Sequence, residues 1–229
     1  RPTPRGASLA FAWSAFGAAV LLFLAVALAV ATGATVAMDD AIEAWLHARA
    51  APLLVDVMTV ISFLGAPTTL STLAVAASLF LLYRRKYAES ATLAVMVVGG
   101  NLLNVGLKHL FQRGRPVFDD PLFTLPTYSF PSGHAMAATV FCGLLAVHAA
   151  EHIERRPSTR IVIGAAVSMV ALVCFSRVHR GLHYPSDVAA GVTEGTARPP
   201  PPTTPPPPQR RGAPGVARAT PCPRAWPTP

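Results

Sequence analysis

The sequence predicts an all-α fold, an integral-membrane bundle of helices, and three observations carry that expectation. Of 229 residues, 52% are hydrophobic and only 13% charged, with a mean hydropathy of +0.44; soluble domains usually carry about 25% charged residues. The apolar residues gather in five stretches near the length at which a helix crosses ~30 Å of hydrocarbon. Basic clusters and prolines punctuate those stretches instead of scattering through them.

The first stretch, residues 9–37, is too long and too uniformly apolar for a signal-peptide core and reads as a retained anchor. The chain opens on Arg1 without a methionine, so its natural beginning is expected upstream. Met38 to Ala50 holds Asp39, Asp40, Glu43, Trp45 and His47, the make-up of an amphipathic helix at the interface, where Trp is favoured. The second span is expected over 67–83, with its start left open because Leu53 to Leu64 is also apolar before Gly65 and Pro67. The third, 88–108, carries Asn101 and Asn104, read as packing residues that hydrogen-bond neighbouring helices. The fourth and fifth are expected over 134–151 and 159–176.

Arg84-Arg85-Lys86 follows the second span, and Arg155, Arg156 and Arg160 separate the fourth from the fifth. Both loops belong in the cytoplasm by the positive-inside rule. Parity then puts the loops after spans one, three and five outside. Lys108, Arg113 and Arg115 fall on that outer side, where basic residues are disfavoured, and a ligand explains the exception better than chance placement.

The formal net charge of +8 does not signal nucleic acid. Arg198, Arg210, Arg211, Arg218 and Arg224 lie in a proline-rich tail, and no basic and aromatic surface accompanies them. Cys142 and Cys174 sit in apolar segments and Cys222 in the tail, a spacing that makes neither a metal motif nor a disulfide framework. The composition breaks after Gly191, so a membrane domain is expected over 1–192 and a disordered Pro/Arg-rich tail over 193–229. Its Pro, Arg, Ala, Gly and Thr vocabulary is what a GC-rich gene yields out of frame, and a frameshift near codon 192 is one reading of it.

Chemistry gathers in three segments at the ends of apolar stretches: Lys108-x6-Arg115-Pro116, Pro131-Ser132-Gly133-His134 and Ser176-Arg177-x5-His183-x3-Asp187. Charge near hydrocarbon needs water, a partner or an anionic ligand. Arginine offers a planar fork matched to phosphate oxygens and lysine a movable point charge. Singly, Lys108 or Arg177 reads as a solvated helix end, and Ser132 as an ordinary N-cap. Together they read as a phosphate site, with Ser132 and Gly133 supplying hydroxyl or backbone donors at a helix N-terminus. His183 and Asp187, four apart, can meet on one face if a helix begins near Pro185, and a carboxylate on one ring nitrogen leaves the other free for attack. Asp39, Asp40, Asp119 and Asp120 are adjacent pairs without matched histidine or carboxylate partners, so no metal site is expected. His47, His109, His148, His152 and His179 read as polar helix-end residues outside the site.

In residue type, spacing and order the three segments resemble the type 2 phosphatidic acid phosphatase (PAP2) family, integral-membrane lipid phosphate phosphatases that share their active site with vanadium-dependent haloperoxidases. The resemblance covers roughly residues 9–192. It implies that His183 is the nucleophile, Asp187 its orienting partner and His134 the acid and base, with Lys108, Arg115, Ser132, Gly133 and Arg177 on phosphate. It further implies a phosphohistidine intermediate, no cofactor or metal, and a site at the extracytoplasmic face of a bacterial plasma membrane. Implied substrates are phosphatidic acid, phosphatidylglycerol phosphate or a polyprenyl diphosphate such as undecaprenyl diphosphate. Oligomeric state, lipid tail and phosphate acceptor stay open. His179 and Arg180 stand at variable family positions. The family's sixth span is missing here, and an inactive relative that binds lipid phosphate or serves as a membrane scaffold is the alternative. A haloperoxidase needs vanadate and a soluble framework, against which the apolar spans argue.

Overall fold

A computed structural model describes residues 4–117, 127–153 and 156–197. Eight helices and no strand occur among them: α1 (Pro4–Ala31), α2 (Val36–His47), α3 (Pro52–Leu64), α4 (Pro67–Tyr83), α5 (Tyr87–Phe111), α6 (Gly133–His152), α7 (Arg156–His179) and α8 (Pro185–Thr196). Five apolar runs are long enough to cross a membrane: Ala10–Ala31, Pro52–Tyr83, Tyr87–Phe111, Gly133–Ala150 and Pro157–His179.

The boundaries correct the sequence in two places and decide a third that it left open. The first stretch does not run on to residue 37, because α1 stops at Ala31 and Gly33, at φ +75°, turns the chain into α2. The second run is two helices, since Gly65 closes α3 and Pro67 opens α4. Proline suits a first helical turn, whose N–H groups lack partners anyway. The helix after Asp187 does not end at Val192 but continues to Thr196, with Thr193, Glu194 and Gly195 buried. The expected break after residue 192 thus falls inside α8. The tail from 198 on lies outside the described residues.

α6 is the central element, packed against α4, α5, α7 and α8, while α1 lies on α8 and α3 on α7. Its first turns are buried on all sides, at Ala135, Met136, Ala137 and Ala138, and the three alanines allow that close approach. Gly191 and Gly195 make the α6 and α8 contact possible: a Cβ at Gly191 would stand 2.4 Å from the Ser132 carbonyl, and one at Gly195 2.7 Å from Thr139 Cβ. Asn104 Nδ2 donates to Glu194 Oε2 at 2.8 Å, and Asn101 Nδ2 to Ser71 Oγ at 3.1 Å, so both amides serve helix packing as expected. Outward faces carry Leu21, Leu28, Leu79, Val95 and Leu110, all largely exposed, as a lipid-facing surface requires.

This packing brings the C-terminal ends of α5 and α7, the N-terminal ends of α6 and α8, and α2 to one end of the bundle. The site forms there.

Candidate active site

α5 ends at Gln112, whose left-handed conformation (φ 45°) sends its N–H to the Lys108 carbonyl and turns residues 113–117 away from the helix axis. Ser129 N–H then bonds the Arg113 carbonyl at 2.9 Å, tying that strand of chain to the segment before α6. Lys108 reaches across this junction: its Nζ donates to the carbonyls of Tyr128 (2.8 Å), Ser129 (3.3 Å) and Pro131 (2.8 Å). Ser132 caps α6, accepting from Ala135 N–H, while its own N–H bonds the Asp187 carbonyl at 3.0 Å. The second and third motifs are thereby joined by backbone.

His183 is fully buried in the loop between α7 and α8. Its Nε2 lies 3.2 Å from Arg115 Nη1. Its Nδ1 lies 3.6 Å from Asp187 Oδ2, beyond a hydrogen bond, and 3.4 Å from Ser129 Oγ. The Ser129 hydroxyl donates to the same Asp187 oxygen. The direct imidazole–carboxylate bond expected from the four-residue spacing is therefore relayed through Ser129. Burial, and then the charges of Arg177, Arg115 and Lys108, hold His183 well below the ordinary imidazole value, which favours the neutral ring.

Asp187 is the third residue of α8 and accepts the Tyr184 N–H at 3.0 Å, capping that helix. Burial raises its carboxyl above the usual range, while Arg113, Ser129 and the Tyr184 N–H pull it back. His134 stands in the first turn of α6, within reach of the charges of Arg177, Arg180 and Arg115 and beside His183. Arg177 is 2% exposed at the end of α7; its Nη1 donates to Ser62 Oγ at 2.6 Å, and its Nε and Nη2 have no partner among the described residues. A half-satisfied buried guanidinium is costly unless an anion meets it. Gly133 packs so closely that a Cβ would stand 3.0 Å from Asn104 Oδ1.

A profile described as "PAP2 superfamily" matches residues 89–197. Phosphatidylglycerophosphatase B of Bacillus subtilis (strain 168) is 32% identical over 176 residues, 76% of this chain and 86% of that protein. The chain belongs to the PAP2 superfamily. An undecaprenyl-diphosphatase of Sulfolobus acidocaldarius is 31% identical over 119 residues, 50% of this chain and 53% of the relative. Among solved structures, the transmembrane PAP2-type phosphatidylglycerolphosphate phosphatase of Bacillus subtilis superposes with a TM-score of 0.73 at 32% identity, covering 80% of this chain and 90% of that one. Aquifex aeolicus LpxE shares the fold at a TM-score of 0.54 and 24% identity, over 69% of this chain and 90% of that one. The all-helical membrane architecture expected from composition is the PAP2 architecture.

All eight residues singled out in the motifs of this PAP2 chain lie at the one end of the bundle. Sequence reasoning missed four that stand among them: Ser129, Ser62, Arg113 and Asp39. Arg113 had a signal, a cation on the disfavoured side of the membrane. Asp39, read in the sequence only as lacking a histidine or carboxylate partner for a metal, pairs with a cation instead: it binds Arg113 at 2.8 Å across 74 residues of sequence. Asp119 and Asp120 lie outside the described residues.

Proposed function

We propose that this protein removes phosphate from a membrane lipid phosphate or polyprenyl diphosphate through a phosphohistidine on His183, without a metal ion, at the extracytoplasmic face of a bacterial plasma membrane. The observation that carries this reading is Arg177, a buried guanidinium with two unpartnered nitrogens whose charge acts on both His134 and His183. A phosphate set between these groups supplies the acceptors that Arg177 lacks.

The neutral Nε2 of His183 attacks phosphorus in line as the bond to the leaving oxygen breaks, and His134 gives its proton to that oxygen. Arg115, Arg177 and Lys108 neutralise the equatorial oxygens, which is most of what phosphoryl transfer asks of a protein. Ser132 and Gly133 add donors at the N-terminus of α6. In the second step His134 takes a proton from water, the water oxygen attacks phosphorus, the P–N bond breaks, and inorganic phosphate leaves with the imidazole restored. The positive charge a metal would otherwise bring comes from the three cations. Because the site sits at the helix ends, a lipid reaches it sideways from the leaflet with its phosphate at headgroup depth.

Purified protein and His183→Ala, each incubated with phosphatidic acid, phosphatidylglycerol phosphate and undecaprenyl diphosphate, test this by phosphate release. The wild type is expected to release phosphate from at least one lipid, with and without EDTA, and the variant to fall by several orders of magnitude. Equal background rates in both would favour a lipid-phosphate-binding protein, and activity lost to EDTA and restored by magnesium would refute the metal-free route.

A further inference from the structure

Helix α2 reaches into the site through Asp39. Asp39 is completely buried. Its Oδ1 accepts the Ser186 N–H at 3.1 Å, and its Oδ2 accepts the Ser186 hydroxyl at 2.5 Å and Arg113 Nη2 at 2.8 Å. Arg113 Nη1 in turn donates to Asp187 Oδ1 at 2.7 Å and to Ser186 Oγ at 2.7 Å. The guanidinium therefore bridges two buried carboxylates, one on α2 and one on α8, with its face on the Tyr184 ring at 4.3 Å.

We propose that Asp39, acting through the Arg113 fork, is a positioning residue for the Asp187–His183 pair, so that α2 belongs to the catalytic apparatus and is more than a membrane-surface helix. The inference rests on the phosphatase reading above. Asp187 has two oxygens with separate tasks. Oδ2 faces Ser129, the Tyr184 N–H and His183. Oδ1 faces Arg113 alone among the described side chains. Rotation of the carboxylate about its own bond would turn Oδ2 away from Ser129, and only the Arg113 bond on Oδ1 opposes it from that side. Arg113 leaves an extended segment, flanked by Gln112 and Gly114, so its fork needs an anchor, and Asp39 and Tyr184 supply one. A planar fork suits this bridge and an ammonium does not, since one point charge cannot direct parallel donors at two carboxylates.

The experiment compares the full-length wild type with Asp39→Asn, Arg113→Lys, Asp187→Asn and the double variant Asp39→Asn/Asp187→Asn, measuring kcat and KM on a short-chain lipid phosphate. Asp39→Asn and Arg113→Lys are each expected to lower kcat by about ten- to a hundredfold with KM little changed. In the double variant the Asp39→Asn loss should disappear, because Asp39 has nothing left to position. A wild-type kcat in Asp39→Asn, or losses that multiply in the double variant, would overturn the inference. Arg113→Lys keeps the local charge, so it serves where Asp39→Asn does not fold. Orthovanadate, a mimic of five-coordinate phosphorus, gives the same comparison by calorimetry without turnover: Asp39→Asn should weaken its binding as Asp187→Asn does, and unchanged binding overturns the inference. Activity in the wild type that His183→Ala abolishes, beside an unaffected Asp39→Asn, sinks this inference alone. A wild type no faster than His183→Ala sinks the phosphatase reading, and the vanadate comparison still decides the role of Asp39.

Discussion

In the proposed mechanism the chemistry turns on His183, and the environment of that ring makes a measurable demand. Burial comes first among the forces lowering its proton affinity, followed by Arg177, Arg115 and Lys108. A lowered value leaves the ring neutral as pH falls through 6.5, so the limb of kcat/KM that reports its protonation in the free enzyme should lie below 6.5. Arg115→Gln removes the cation beside Nε2 and should move that limb upward, toward the ordinary value, besides lowering the plateau. A limb that stays put or moves down in Arg115→Gln would show that the cations do not set the state of this ring. At this scale the sequence was legible where chemistry is local: each of the three motifs is a short run whose spacing on or beside a helix end declares it. Arg113 and Asp39 were not, because each acquires meaning only from a partner 74 residues away. Ser129 stood just outside a recognised tetrapeptide, and nothing in its neighbours distinguishes it from any loop serine.

Helices α2 and α8 carry the elements' share of the account. Gly191 lets α8 approach the turn that holds Ser132 and Gly133, and a β-branched side chain there would strike the Ser132 carbonyl. Gly191→Val should cost about 1–3 kcal/mol of stability and lower activity further than that loss of folded protein explains; thermal unfolding with kcat per folded enzyme measures both, and an unaffected variant would show that α8 does not brace the second motif. Glu43, on α2, is 2% exposed, and neither carboxyl oxygen has a hydrogen-bond partner among the described residues. Burial, and then the charges of Asp187 and Asp39, push its value from 4.5 up to about 8. Between those limits the folded state holds a proton that the unfolded chain has released, so this group's contribution to stability is full below 4.5 and is lost as pH rises toward about 8. Glu43→Gln should remove that part of the decline, so that its melting temperature gains on the wild type as pH rises across the window; parallel curves would place Glu43 in contact with water. That Val36–His47 forms a helix was legible around Trp45 and its acidic residues, but the depth of Asp39 and Glu43 was not. The continuation of α8 past residue 192 was hidden for a related reason: Glu194 looks like the start of a polar tail until Asn104 is seen to meet it.

At the scale of the molecule, five apolar runs alternate direction, and the loops that carry the motifs meet at one end, while Arg84, Arg85 and Lys86 follow α4 at the opposite end of its run. Hydropathy made this architecture readable, since each span must satisfy its backbone alone and so declares itself by length. The convergence of distant segments upon His183 depends on packing that no single stretch encodes. In the proposed mechanism this convergence serves a covalent step. Rapid quenching of the enzyme during turnover of a lipid bearing radiolabelled phosphate, followed by peptide mapping, tests it most directly. A base-stable, acid-labile label is expected on the peptide containing His183, present in wild type and absent from His183→Ala. Turnover that proceeds without label on that peptide, or with label on another residue, would contradict it.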